Sequence, residues 1–143
     1  MLTIDANVWV SAQFPNEVDH EASAEMLARV VTLLIPLHQP TLLPVEVAGA
    51  IARRKQVSEE VSNTQNILAE FPGIKFHPLD EAVARNSVGL AASLRLRGAD
   101  AVYVATAMAT QSSLITLDRE MVKRAANTVP VMTPEDWLAK REA

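Results

Sequence analysis

Four acids share one kind of position in this chain. Asp5 directly follows Leu2 to Ile4, a short apolar run that reads as a buried strand. Asp118 follows a second such run, Leu114 to Leu117. Glu46 is expected in the first turn of a helix begun by Pro44, because proline suits the opening of a helix. Asp100 stands just after Gly98, at the start of another helix. In a parallel sheet with helices between its strands, these points converge at one end. Convergence has an electrostatic cost. Two carboxylates about 4 Å apart repel by roughly 4 kcal/mol at an effective dielectric near 20. A cluster of them protonates or splays apart unless a cation sits among them. A hard cation with oxygen ligands, Mg²⁺ or Mn²⁺, fits that donor set. Such an ion binds phosphate, acidifies a water and stabilises a leaving oxygen, so the chemistry points to phosphodiester hydrolysis.

Each acid alone has an ordinary reading. Asp at a helix start is often a cap, and the helix dipole favours acids in the first turn. Asp80 is the internal control: it opens a helix without a strand end before it and reads as a plain cap. The joint pattern of Asp5, Glu46, Asp100 and Asp118 carries the functional reading.

The elements that must position these acids follow from apolar spacing. Ala22 to Leu37 has helical spacing, closed by Pro36 and Pro40, with a very short strand expected at Thr41 to Leu43. Ser58 is placed to cap a helix running through Phe71, and Pro72-Gly73 marks a turn. Ile74 to His77 reads as a strand, and a helix from Asp80 through Leu94 is expected to break at Gly98. Ala99 to Thr110 is helical, Glu120 to Ala125 a short helix, Val129 to Met132 a last strand, and Thr133-Pro134-Glu135 opens a final helix. Strands alternating with helices predict a central, mainly parallel sheet with helices on both faces. In such sheets the site lies beyond the carboxyl ends of the strands, where strand order reverses.

The ordered set resembles a known family. Ile4-Asp5-Ala6-Asn7-Val8-Trp9-Val10 is similar to the opening of a PIN domain. Pro44 to Arg53, Gly98 to Ala107 and Leu114 to Arg119 resemble the family's second, third and fourth acidic motifs. The resemblance runs over nearly the whole chain and implies one nuclease domain, residues 1–143, with a three-layer α/β/α PIN-like fold. It implies Mg²⁺-dependent cleavage of RNA. Asp5, Glu46, Asp100 and Asp118 match the metal-binding and catalytic acids, and Asn7 and Thr116 match polar residues that support them. Asn7 stands where many relatives carry Ser or Thr. Within the family the chain most resembles the VapC type of toxin, which a small antitoxin holds inactive. A homodimer is expected from the resemblance alone.

Composition bounds the alternatives. With 143 residues, 49% of them hydrophobic, the chain suits one packed domain. The absence of cysteine removes disulfides and thiolate zinc sites and suits the cytoplasm. No secretory signal is visible, and the most apolar stretch, Val30 to Leu37, is too short to span a membrane. A net charge of −4 argues mildly against nucleic-acid binding, which a local basic rim would reconcile. Arg53, seven residues after Glu46 on the same helical face, is placed to contact an RNA phosphate; Lys55 reads as a partner of the helix dipole. Trp9 and Tyr103 lie near the acids in sequence and offer base stacking, although the apolar neighbours of Trp9 favour core or dimer packing for it. His20, His38 and His77 show no metal-ligand spacing and read as surface or packing residues. Two further functional readings remain. One is a PIN-like RNA-processing nuclease without an antitoxin; the other is a catalytically silent interaction module. A phosphoacceptor domain also gathers acids at strand ends, but it wants a late-strand lysine that Val129 to Met132 does not offer.

Overall fold

The computed structural model describes residues 1–54 and 58–143. Strand β1, Leu2–Ile4, is wholly buried and sits mid-sheet. It pairs in parallel with β2, Leu37–Pro40, on one side and with β4, Ser113–Ile115, on the other. Beyond β2 lies β3, Ile74–His77, and beyond β4 lies β5, Val131–Met132, also in parallel. The order is therefore β3-β2-β1-β4-β5. The chain winds from β1 out to β3, then returns past β1 to add β4 and β5. Order reverses between β1 and β4, and their carboxyl ends frame the crevice that such sheets use for ligands.

Between β1 and β2 run α1, Ala6–Ser11, and α2, His20–Thr32; between β2 and β3 run α3, Leu42–Arg53, and α4, Ser58–Glu70. Helices α5, Glu81–Leu94, and α6, Gly98–Thr110, carry the chain from β3 back to β4. Parallel crossovers are right-handed, so the outward and return journeys place their helices on opposite faces. Consistent with this, α6 packs across β2, β1 and β4, while α1 packs on α2 and α3. Helix α7, Arg119–Ala125, links β4 to β5, and α8, Pro134–Glu142, packs on α2. The layers are α/β/α, as the alternation of strands and helices predicts. Among the described residues no helix is long and apolar enough to cross a membrane.

Sequence and structure part at several boundaries. Helix α2 ends at Thr32, not Leu37, because Leu34 turns the chain in the left-handed conformation at φ 54°. The next strand is Leu37–Pro40 rather than Thr41 to Leu43, and Leu42–Arg53 is already helix. Glu46 therefore lies two residues deeper in α3 than Pro44 suggested, past its first turn. Helix α5 ends at Arg95, left-handed at φ 55°, and Gly98 belongs to the start of α6. Helix α1 was not anticipated. Lys55 and the Ser58 side chain lie outside the described residues.

Packing explains several side chains. Trp9 is buried, donates its indole N–H to the Ile4 carbonyl at 3.3 Å and meets Phe71 edge-on at 4.9 Å. Beyond the single β1–β2 register pair, Leu2 with Leu37, the buried Gln39 amide takes the place of a backbone pair. It accepts from the Ile4 N–H and donates to the Ile4 carbonyl, each at 3.0 Å. At the β2–β3 edge, His38 Nδ1 and His77 Nε2 meet head-on at 2.8 Å, with ring centroids 5.1 Å apart. His20 bonds the Ser11 carbonyl at 2.9 Å, in keeping with a packing role.

Candidate active site

A cleft of about 330 Å³ opens at the carboxyl ends of β1 and β4. Asp5, Glu46, Asp100 and Asp118 all line it, together with Asn7, Arg53, Arg54 and Arg97. A larger hollow of about 520 Å³ lies between α5 and α6, but no acid lines it. Size and chemistry therefore point to different places, and the smaller cleft holds the reactive groups.

The first acid leaves β1 and enters α1. Asp5 occupies the N-cap position of α1 yet makes no side-chain capping bond. Its Oδ2 instead accepts from Thr116 Oγ1 at 2.7 Å. That hydroxyl is fully used: it also accepts from Asn7 Nδ2 at 3.4 Å and from the Asp118 backbone N–H at 3.1 Å. Asn7 Oδ1 accepts from the Leu117 N–H at 3.2 Å. Thr116 and Asn7 thus clamp the ends of β1 and β4 together around Asp5. Burial, chiefly, pushes the Asp5 pKa up to about 7. The Thr116 bond opposes that rise, and the Asp100 and Glu46 charges add to it.

The other acids reach the cleft from three helices. Glu46 comes from α3, and burial raises its pKa, with Tyr103 acting against the rise. Glu46 Oε1 and the Tyr103 hydroxyl are both buried with no partner of hydrogen-bond geometry. They face each other closely enough to perturb one another without a closed bond. Tyr103 is wholly buried beneath the acids and is not available to stack a base. Asp100 sits in the first turn of α6, where Arg97 Nε donates to it at 3.3 Å. Asp118 does cap α7: its Oδ1 accepts from the Glu120 and Met121 N–H groups at 3.0 and 3.3 Å. Its Oδ2 lies 4.0 Å from Arg97. The control behaves as expected, since Asp80 Oδ1 accepts from Val83 N–H at 2.9 Å and lies outside the cleft.

Arg53 folds back along α3 so that its guanidinium covers Gly49, where an added Cβ would meet it at 3.3 Å. It lines the cleft as its spacing from Glu46 implied. Arg97 flanks an acidic motif and Arg54 ends the Glu46 helix, positions that read in the sequence as ordinary surface cations; the structure sets both on the cleft wall. The signal for Arg97 was its place three residues before Asp100, one helical turn away. Tyr103, three residues after Asp100, shares that face in the same way.

Among the described residues, no three acidic or imidazole side chains stand close enough to form a ready-made metal cage. The four carboxylates share one cleft but stay splayed, as like charges do. The donor set nonetheless fits a hard divalent cation. All the convergent ligands are oxygen, Asp5 is held partly protonated at neutral pH, and Glu46 Oε1 is buried with nothing to bond.

Comparison with known proteins follows the same lines. The PIN domain family model matches residues 2–127. No curated protein sequence matches the chain. Among solved structures, FitAcB from Neisseria gonorrhoeae aligns with TM-score 0.72 at 19% identity, covering 94% of this chain and 99% of that one. A toxin–antitoxin complex from Klebsiella pneumoniae aligns at TM-score 0.67 and 20% identity, covering 94% and 98%. Mycobacterium tuberculosis VapC20, a sarcin–ricin-loop-cleaving toxin, aligns at TM-score 0.75 and 10% identity, covering 90% and 96%. At these identities the likeness is one of fold. With the family model matched from β1 past α7 and the same architecture in these structures, the chain belongs to the PIN-domain family.

Proposed function

We propose that residues 1–143 form one endoribonuclease unit that cleaves RNA phosphodiester bonds with Mg²⁺, or Mn²⁺ in its place. The observation that carries this reading is the cleft itself: four carboxylates at the sheet's switch point, one of them buried and half-charged at neutral pH. Asp5, Glu46, Asp100 and Asp118 would hold the ion. When bound, it supplies positive charge to the scissile phosphate and acidifies a water. Thr116 fixes one Asp5 oxygen, and Asp118 spends Oδ1 on its helix cap, so each retains one oxygen for other work. Arg53 and Arg97 place cations on the rim of an otherwise acidic cleft, which suits a phosphate entering it. The likeness to toxin–antitoxin structures supports a toxin role with a small antitoxin protein as partner; a homodimeric assembly and action in the cytoplasm rest on the family resemblance alone.

Purified protein incubated with a mixed RNA pool, in Mg²⁺ or in excess chelator, tests the reading. Cleavage is expected in Mg²⁺ only. Outer-sphere partners of metals already cost 10- to 100-fold when lost, so Asp100→Asn is expected to lower the rate by about 100-fold or more. Asp80→Asn is expected to leave it nearly unchanged, because Asp80 is a cap that does not line the cleft. Full activity in chelator, or equal effects of the two substitutions, would sink the proposal.

A further inference from the structure

Beside the acid cleft lies a second hollow of about 340 Å³, lined by Phe14, Pro15, Asn16, Glu17 and Arg54. Arg54 is the common wall: it lines both hollows. Its position is held from three sides. Nε donates to Glu17 Oε1 at 2.8 Å, Nη1 donates to the Ala50 carbonyl at 3.0 Å, and the guanidinium lies over the Phe14 ring, 5.9 Å from its centroid. Neither hydrogen bond uses Nη2. Phe14 packs partly against the core, which fixes its ring, while Asn16 is exposed at the rim.

A rigid guanidinium plane and a fixed aromatic ring are the surfaces on which single-stranded nucleic acid stacks its bases. Glu17 and Asn16 add a carboxylate and an amide at the edge, the groups that read a base's hydrogen-bonding pattern. A base is joined to its own phosphate through one sugar, and Arg54 lines both this hollow and the acid cleft. We propose that the hollow is a nucleobase subsite. It takes one unstacked base of the strand whose phosphate lies at the acids, with guanine preferred over uracil. Guanine offers N–H groups at N1 and N2 to the Glu17 carboxylate, which spends Oε1 on Arg54 and keeps Oε2. Uracil has no exocyclic amine. This subsite deepens the RNA-cleaving reading and rests on it for the identity of the strand.

The full chain, labelled with ¹⁵N and kept in chelator, is titrated with guanosine 5′-monophosphate, uridine 5′-monophosphate and ribose 5-phosphate. The signals read are the Asn16 side-chain amide and the Arg54 Nε–H. The guanine nucleotide is expected to shift both saturably. The uracil nucleotide is expected to bind at least about threefold more weakly, the worth of one hydrogen bond, and ribose 5-phosphate to shift neither. Arg54→Lys, which keeps the charge and loses the plane, and Phe14→Leu, which keeps apolar volume and loses the ring, are each expected to weaken the guanine nucleotide by a similar factor. Their amide spectra establish that they fold, and Arg54→Lys on the surface stands if Phe14→Leu does not. Equal binding of the two nucleotides, shifts by ribose 5-phosphate alone, or no saturable shift overturns the subsite. Chelator separates the two readings. Guanine binding without RNA cleavage in Mg²⁺ removes the nuclease and leaves the hollow, whereas cleavage without guanine selectivity removes the hollow alone.

Discussion

At the scale of single residues, Asp5 meets opposed demands. A metal needs it charged, while its burial favours the neutral form and pushes its pKa up to about 7. The unfolded chain releases the same proton at the ordinary 3.8. Stability from the protonated group is therefore complete at acid pH and is lost as pH climbs from about 4 through 7. That loss is on the order of 4 kcal/mol. Cation binding must displace this proton below pH 7, which weakens it by up to about tenfold per pH unit. Mn²⁺ titrated calorimetrically is thus expected to bind about tenfold more tightly at pH 8 than at pH 6. At pH 6 it should release close to one proton per ion. Equal affinity with no proton release would show that Asp5 is not a ligand. Asp5 and Asp118 were legible in the sequence because a strand end is a local signal, and Asp100 because Gly98 marks a helix start. Tyr103 under Glu46, and Arg54 shared between two hollows, depend on how distant elements pack, which spacing along one helix does not convey.

At the scale of elements, the departures from the sequence reading have identifiable causes. Where a helix closes in the left-handed conformation, the residue that adopts it is usually glycine. Here Leu34, Arg95 and Gln111 adopt it instead, at φ 53° to 55°. The end of α2 carried no glycine, so its apolar spacing read on to Leu37. Helix α1 was invisible for another reason: Val8, Trp9 and Val10 are consecutive and all buried, and a helix surrounded by core shows no polar face. Pro40 reads in the sequence as a helix breaker, yet it is the last residue of β2, where its carbonyl side ends the strand. The left-handed ends make a test. Gln111 is exposed and far from the acid cleft. Gln111→Gly is expected to stabilise by up to about 1 kcal/mol, or roughly 3 °C in Tm, with cleavage unchanged. A drop in Tm would mean that glycine's extra freedom in the unfolded chain outweighs the relieved strain.

At the scale of the molecule, alternation of strands and helices was enough to indicate a parallel α/β/α sheet and the end at which the acids gather. Strand order was not legible, because parallel strands meet only through long crossovers. The fold stores repulsion among its acids: Glu46 and Asp100 both bear on the buried Asp5 carboxylate. Neutralising that carboxylate is expected to raise the melting temperature in chelator. Asp5→Asn should melt above wild type at pH 8 and close to it at pH 6, where Asp5 is already protonated. Mg²⁺ should reverse the ranking. An ion at 100 times its Kd adds about 2.7 kcal/mol to wild type, and the variant should gain far less. Thermal melts of both proteins at each pH, with Mg²⁺ and with chelator, decide this. Identical melting curves in chelator at both pH values would mean that no such repulsion is stored.

The head-on meeting of His38 and His77 bears on how this protein behaves in storage and purification. One imidazole donates to the other only while the pair holds at most one extra proton, and a second proton sets two N–H groups against each other. Burial, each other's presence, Lys75 and the chain's amino terminus already hold the His38 pKa below its ordinary value, and burial and Lys75 do the same for His77. The unfolded chain therefore takes up protons first as pH falls through the usual histidine range, and this part of the stability is lost toward acid. The strand that loosens is β3, the outer strand of the sheet, with Phe76 partly exposed on it. A freed edge strand is a template for pairing with another copy. Solutions brought from pH 7.5 to pH 5 are thus expected to gain large particles by light scattering, and His77→Gln, which never charges, is expected to delay them. Equal scattering from both proteins across that range would assign acid precipitation to loss of net charge instead.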